Sequence, residues 1–449
     1  MTEAQDSELA KLFEVTKCDN DILTVGTTVD TGLEWQAVDE CRQKLDSGIR
    51  VVKERGKIFF NVSLGDFYKV QEMRSIDNIF IVGDVRKFPF TSSDRESDLL
   101  LVKRAVIEDM NLEKYLNAWR SVTRFPGNVY PTADEWKRAV EYYQVGGREQ
   151  DGACSKGRKR GCDPSLAEDH SVLSYRVTCE RTGKHSFESS QVATAVGGEL
   201  QDKYNWIVDL TMYHLEVVCK VTQDEMVLNL RVTHESKHRR NITYFGPTTL
   251  RATVCYNLLR LAHPKSGDVI VDPMCGGGSI PIEAALAFPK TYVLCGDNHE
   301  KAVERTRLNI EALPQRHRTD LLKWSVGKLP FKDSNIDVFV TDMPFGKRSG
   351  TMSDNRVLYK TYLIEMARVV RLNNGRLVLL TYDRRSISVA LQASKDLFRV
   401  KKMLGVNMGG LNAAVYVLKR TNLTHEQFLT RPTGKSYNRE AIVPETADD

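Results

Sequence analysis

The stretch Val269-Ile-Val-Asp-Pro-Met-Cys-Gly-Gly-Gly-Ser-Ile-Pro-Ile-Glu283 decides the fold. A short β-branched run ends in an acid, and a glycine-rich turn leads at once into an apolar helix start. Glycines let backbone approach a ligand closely at a strand end, which is where open α/β sheets bind theirs. A dinucleotide-binding turn needs a further glycine at position 281, where Pro281 stands in the first helical turn. That disfavours a pyrophosphate site, and the lack of a Gly-Lys-Ser/Thr ending excludes a Walker-type loop.

Outward from this stretch, strand and helix alternate. Asp268–Asp272, Thr291–Asp297, Leu321–Ser325, Ile336–Asp342 and Arg376–Tyr382 read as short apolar strands separated by helical patterns from Ser279, from His299 and around Leu358–Val370. Each right-handed crossover between parallel strands needs its helix, so the pattern predicts a doubly wound parallel sheet. Two more strands are expected near Phe398–Leu404 and Ala413–Lys419, and the polar tail after Thr421 is expected to fray.

Towards the amino terminus, Ile22 to Asp84 reads as β-α-β-β-α-β, a ferredoxin-like order. Its first helix, between Gly32 and Leu45, puts Leu33, Ala37, Val38, Cys41 and Leu45 on one face. A helix is expected from Leu99 to Trp119, then a Gly-, Pro- and charge-rich insert from Phe125 to Pro164 carrying Lys156-Gly-Arg-Lys-Arg160. That basic run reads as a solvated, disordered insert, with an RNA-contacting or nuclear-import patch as the alternative. A strand at Tyr175–Gly183, a helix across Ser190–Asp202 and a hairpin turning at Thr222–Asp224 complete a second α+β module. The apolar helix Leu250–Ala262 opens the third region. Domains are therefore expected at 1–95, 96–233 and 234–430, with a polar tail at 431–449.

With 449 residues, roughly three domains fit the length. No run reaches the ~18 apolar residues of a membrane helix, and the polar, acidic start does not resemble a secretion signal. A cytoplasmic protein is expected, with a nuclear pool also allowed. Nine scattered cysteines without a CxxC pair argue against a zinc ribbon or a disulfide scaffold. The formal charge of +5 permits an RNA partner without demanding one. His238 and His299 lack neighbours at ligand spacing, so no metal site is expected.

The chemistry concentrates at strand ends. Asp272 would meet a cation better than a phosphate, and Asp297 ends the second strand where nucleoside-binding folds hold ribose hydroxyls. Together they suggest S-adenosylmethionine, although each acid alone could simply cap a helix. The fourth strand delivers Val340-Thr-Asp-Met-Pro-Phe-Gly346. An exocyclic amine is a poor nucleophile because its lone pair is delocalised into the ring. A carboxylate from Asp342 and a backbone carbonyl of Met343 or Pro344, each accepting one N–H, would orient it. Pro344 would stiffen the loop, and Phe345 offers a face for an extruded base.

Residues 269–283 and 340–348, with His238-Arg-Arg-Asn-Ile-Thr-Tyr-Phe-Gly-Pro-Thr-Thr-Leu-Arg251 ahead of them, resemble the THUMP-domain family of S-adenosylmethionine-dependent tRNA guanosine-N2 methyltransferases. The resemblance covers most of the chain. It implies a Rossmann-like, seven-stranded methyltransferase domain preceded by a ferredoxin-like domain and a THUMP RNA-binding domain. It implies methyl transfer to a guanosine of the tRNA acceptor stem, with the THUMP module recognising the acceptor end. A small zinc-binding activator subunit is implied as partner, covering an apolar edge and forming a heterodimer. Carried onto this sequence, the cofactor would lie against Asp272, Pro273, Cys275, Gly276, Gly278, Asp297, Asn298 and Ser325, and catalysis would fall to Asp342, Pro344 and Phe345.

Two departures from the family pattern stand out. Ser325 follows Trp324 where relatives carry an acid that contacts the adenine amine, and a hydroxyl substitutes less strongly. The catalytic loop is Asp-Met-Pro-Phe where many N-methyltransferases have Asn-Pro-Pro-Tyr, which keeps an acceptor and a ring. The basic residues Lys237, Arg239, Arg240, Lys347 and Arg348 are expected to hold phosphates around a flipped nucleotide, an ordinary solvated surface being the alternative. A small nuclear RNA as target, or a catalytically silent RNA-binding homologue, remains open at this point.

Overall fold

A computed structural model describes residues 7–91, 93–144, 162–168, 171–246, 249–313, 319–344 and 352–431. Two compact units are present: Met1–Thr243 with Thr248–Leu261 and Leu404–Asn412, and Tyr244–Pro247 with Ala262–Met403 and Ala413–Asp449.

The first unit is built on one eight-stranded sheet. Strands β1 (Ile22–Thr28), β2 (Val51–Glu54), β3 (Lys57–Ser63) and β4 (Ile79–Lys87) pair antiparallel in the order β2-β3-β1-β4, with the helix Glu34–Lys44 after β1 and the short helix Phe67–Gln71 before β4. This is the ferredoxin-like arrangement expected from the β-α-β-β-α-β order. Strand β4 then pairs with β8 (Glu225–Arg231), followed by β7 (Leu215–Thr222), β5 (Ser174–Thr182) and β6 (Ile207–Val208), so both α+β modules share one sheet. The helix Ala252–Ala262, read as opening the third region, is held within this unit by polar side chains. Thr253 Oγ1 donates to Asp30 at 3.2 Å, Tyr256 OH to Glu40 at 2.9 Å and Asn257 Nδ2 to the Ser75 carbonyl at 3.1 Å.

Two expectations for this unit are corrected. The single helix over Leu99–Trp119 is instead Arg95–Arg104, a wider π-type turn Ala105–Asp109, and Glu113–Thr123. Lys203 Nζ fills the break, donating to the carbonyls of Val106, Ile107 and Met110 at 2.9, 3.0 and 2.6 Å. A carbonyl at a helix end needs a donor from outside the helix, and Lys203 supplies one. The first part of the expected insert is ordered too: Phe125 and Val129 are buried and Ala133–Gln144 is helical. Residues 145–161, with the basic run, lie outside the described residues.

The second unit carries a seven-stranded sheet in the order β11-β10-β9-β12-β13-β15-β14. Its strands are β9 (Val269–Asp272), β10 (Tyr292–Asp297), β11 (Thr319–Lys323), β12 (Val338–Asp342), β13 (Arg376–Thr381), β14 (Phe398–Met408) and β15 (Leu411–Arg420). The first five are parallel, and β15 pairs antiparallel to β13. Val271, Phe339, Leu377 and Leu379 are fully enclosed; each such side chain contributes about 1.5–3 kcal/mol by burial. The chain runs outward from β9 to β11 and then returns to place β12 on the other side of β9. That reversal makes a topological switch point at the carboxyl ends of β9 and β12, where such sheets bind ligands.

Candidate active site

Asp272 ends β9 and is almost fully buried. Its Oδ1 accepts from Thr341 Oγ1 at 2.8 Å and from the Met274 N–H at 3.2 Å. Burial pushes its carboxyl up to about 7, with the charge of Asp297 adding a smaller push. Asp342 ends the neighbouring β12, and its enclosed Oδ1 has no hydrogen-bond partner. Burial, and then the charge of Asp272, holds this carboxyl well above the usual carboxylate range. Two like charges at adjacent strand ends in low dielectric favour protons or a cation between them.

The glycine-rich turn is pinned from three directions. Gly276 and Gly278 adopt φ of 56° and 83°, left-handed values that a side chain resists. The Gly276 N–H donates to Asp297 Oδ2 at 3.0 Å, while Thr306 Oγ1 donates to the Gly276 carbonyl at 3.0 Å and Asn309 Nδ2 to the Gly277 carbonyl at 2.9 Å. A Cβ added to Gly276 would meet nothing within 4 Å, so that side of the turn is open for a ligand. Beneath the turn, Trp324 Nε1 donates to the Pro273 carbonyl at 3.0 Å. Its ring lies where a Cβ on Gly296 would sit at 2.5 Å, so only glycine fits there.

Asp297 also accepts the His299 N–H on Oδ1 at 3.0 Å. Each oxygen keeps a lone pair for a further donor. Asn298 is exposed beside it, and Cys275 is buried with its Sγ 3.6 Å from Thr306 Oγ1. The Trp324 N–H donates to the Asp297 carbonyl at 3.2 Å, which brings the exposed Ser325 next to that acid at the rim. Tyr362 belongs here as well: burial raises its hydroxyl, and the Asp297 charge raises it further.

The Pro344 carbonyl accepts two hydrogen bonds, from Tyr359 OH at 2.5 Å and from Asn355 Nδ2 at 3.3 Å. Phe345, Lys347 and Arg348 lie outside the described residues. The structure gives two of the expected phosphate-binding residues inward-facing partners. Lys237 Nζ donates to the Gln71 carbonyl at 2.5 Å and to that of Met73, and burial pushes it down to about 8. Arg240 donates to the carbonyls of Lys237 and Arg74 at 3.1 and 2.7 Å. The Arg239 side chain is outside the described set.

Sequence reading missed Thr306, Asn309, Thr341, Asn355 and Tyr359. Thr306 and Asn309 carried a signal, since they sit three apart on the buried face of the helix Glu300–Glu311, where apolar residues are the rule. Among the described residues no group of three His, Cys, Asp or Glu is placed to hold a metal ion, and no helix is long and apolar enough to cross a membrane.

A Gly-rich turn after the first parallel strand, acids ending the first, second and fourth, and an antiparallel seventh strand define a Rossmann-like methyltransferase. Residues 239–414 match the family model UPF0020, the RMKL-like methyltransferase domain. The chain is 36% identical over 448 residues to the bovine (Bos taurus) tRNA (guanine(6)-N(2))-methyltransferase THUMP3, covering 89% of this chain and 88% of the relative. It belongs to that family. The bovine U6 snRNA (guanine-N(2))-methyltransferase THUMPD2 is 26% identical, with 79% of this chain and 78% of the relative covered. Among solved structures, TrmN from Thermus thermophilus matches with a TM-score of 0.66 at 22% identity, covering 89% of this chain and 99% of TrmN, which supports the fold.

Proposed function

We propose that the chain is an S-adenosylmethionine-dependent enzyme that forms N2-methylguanosine in the acceptor stem of tRNA. One observation carries the reading: Asp342 presents a buried acceptor with no partner, beside Asp272, at the switch point of the sheet. The cofactor fits the residues present. Asp272 would hold its ammonium group, the open side of Gly276 would admit its backbone, Asp297 would accept from ribose hydroxyls and Ser325 would stand at the adenine rim.

Bound there, the cofactor supplies an electrophilic methyl group, and its transfer to the guanine amine leaves one N–H proton to be shed. Asp342 accepts one N–H of that amine. The Met343 carbonyl accepts the other, since the Pro344 carbonyl already receives two bonds. Localising the lone pair on nitrogen is the service these acceptors perform, and it is largest when they are preorganised. The raised carboxyl of Asp342 makes it a competent proton acceptor as the amine becomes cationic.

The likeness to the bovine tRNA (guanine(6)-N(2))-methyltransferase THUMP3 supports tRNA over small nuclear RNA, because the bovine U6 relative matches at lower identity over less of the chain. A small zinc-binding activator subunit is proposed as partner on the family resemblance alone. The test is nucleoside mass spectrometry of tRNA and of U6 RNA incubated with labelled cofactor, with and without that subunit. N2-methylguanosine in tRNA is expected. Label confined to U6, or on another base, overturns the proposal, and full activity of the isolated chain removes the partner.

A further inference from the structure

The helix Met352–Val369 places Asn355 and Tyr359 one turn apart on a single buried face. Both reach the Pro344 carbonyl. Behind Tyr359, its hydroxyl oxygen lies 2.9 Å from Thr381 Oγ1, which accepts the Asp383 N–H at 3.0 Å. Behind Asn355, the second hydrogen of Nδ2 goes to Asp383 Oδ2 at 3.3 Å. Asp383 is itself fixed as a helix cap, accepting the Ser386 N–H at 2.9 Å and Ser386 Oγ at 2.6 Å. The chain of bonds therefore runs from a helix start through two side chains to a single peptide oxygen.

On the other side, the Met343 N–H donates to the Leu380 carbonyl at 2.8 Å. The Met343–Pro344 unit is thus tied at its amino end to β13 and at its carboxyl end to Asn355 and Tyr359. A carbonyl has two lone pairs, and both of those on Pro344 are engaged. Between the two ties stands the Met343 carbonyl, next to Asp342.

Asn355 adds an independent sign. Its amide orientation is settled, because turning it over would set its oxygen against the oxygens of Pro344 and Asp383. Its Oδ1 is left buried with no partner. An orphaned acceptor costs about 1–3 kcal/mol, a penalty that a residue serving packing alone would avoid. A buried polar group left incomplete in this way calls for an explanation, and a role in holding the Met343–Pro344 unit supplies one.

We infer that Asn355 and Tyr359 are positioning residues for methyl transfer. They turn the Pro344 carbonyl away from the substrate amine and so fix Met343 and Asp342 as its acceptor pair. This rests on the proposed amine chemistry, but the clamp itself can be tested without it. Tyr359→Phe removes one hydroxyl at constant shape, and Asn355→Leu removes both amide bonds at similar volume. Each is expected to lower kcat by about 10- to 100-fold, the scale of a small misplacement in a preorganised site. Binding of S-adenosylhomocysteine, read by calorimetry, and KM for RNA should stay within about twofold, since the clamp contacts neither ligand. Hydrogen exchange of the peptide containing Met343 and Pro344 should speed up in both variants. Unchanged kcat with unchanged exchange overturns the inference, as does a parallel loss of cofactor binding and melting temperature, which would mark a merely structural role. Where the wild-type chain transfers no methyl to guanosine even with the activator subunit present, the proposed function fails alone, and the exchange measurement still decides the clamp.

Discussion

Glu216 in the first unit and Asp342 in the second are both enclosed carboxylates on sheets, and they are treated in opposite ways. Glu216 accepts from Arg176 Nε and Nη2 at 3.1 and 2.7 Å, from Thr178 Oγ1 at 3.1 Å and from Arg231 Nη1 at 2.7 Å. Burial pushes its carboxyl up, but the two guanidinium groups outweigh that and hold it below its usual value. Asp342 Oδ1 has no such partner, and its carboxyl is raised. A saturated buried acid cements its surroundings, whereas an unsaturated one waits for a donor from outside. The contrast separates structural from functional acids without reference to any relative.

Exchanging each acid for its amide breaks the comparison most directly. Asp342→Asn keeps an acceptor oxygen but removes the charge and the capacity to take the proton, and should lower methyl transfer by about 10²–10³-fold, the scale for losing one preorganised electrostatic partner, while the melting temperature holds or rises. Turnover within tenfold of wild type would remove Asp342 from the chemistry. Glu216→Gln should do the reverse. It leaves two guanidinium groups facing a neutral amide, a change of the kind that costs about 3–5 kcal/mol, read by chemical denaturation. Cofactor binding should be untouched; unchanged stability would show that the two guanidinium groups around Glu216 do not hold the sheet.

Asp272 lies between these extremes, with two donors on one oxygen and a carboxyl pushed up to about 7 from 3.8 by burial. Between those values the folded chain holds a proton that the unfolded chain has released. The stability this group contributes is therefore full at low pH and is lost as pH rises through about 7. A cationic ligand needs the proton gone, so cofactor affinity should fall up to about tenfold per pH unit below that midpoint, with proton release on binding. Calorimetry in buffers of different ionisation enthalpy checks both. Asp272→Asn should abolish the pH dependence and much of the affinity while raising the melting temperature at pH 8. A pH-independent affinity in the wild type would assign the cation to another group.

How far this contrast could be read beforehand depends on what kind of residue carries it. The strand-turn-helix at Val269–Glu283 and the acid ending β12 were legible because hydrophobic period and glycine placement are local properties. The acids Asp272, Asp297 and Asp342 came with them, since a strand end fixes their position. Asn355 and Tyr359 were not legible, because each looks alone like an ordinary helix residue, and Thr306 and Asn309 showed only as polar residues on a buried helix face, with nothing local to say that they hold the glycine-rich turn. Lys237 and Arg240 show the same limit: a basic run says nothing of the carbonyls of Gln71, Met73 and Arg74 that these side chains meet. The break at Ala105–Asp109 depended on Lys203, nearly a hundred residues later in the chain, which no local pattern could announce.

Ser325 tests the smallest increment of the same principle. It is exposed in the turn whose Lys328 N–H donates to its carbonyl at 3.0 Å, beside Asp297, and it offers a hydroxyl where the family pattern offers a carboxylate. A carboxylate accepts more strongly than a hydroxyl, so Ser325→Asp should tighten cofactor binding. Because the position is exposed, solvent competes for the bond and the charge of Asp297 opposes it. The gain should stay near 1 kcal/mol, about fivefold in affinity. An adenosine analogue lacking the exocyclic amine should bind the variant and the wild type alike, which separates a contact to that amine from a general change in the rim. Equal tightening for both ligands would place the adenine elsewhere. Tightening confined to the amine-bearing ligand would extend the rule from the buried acids to the surface: what an acceptor contributes is set by how many of its donors the fold has withheld.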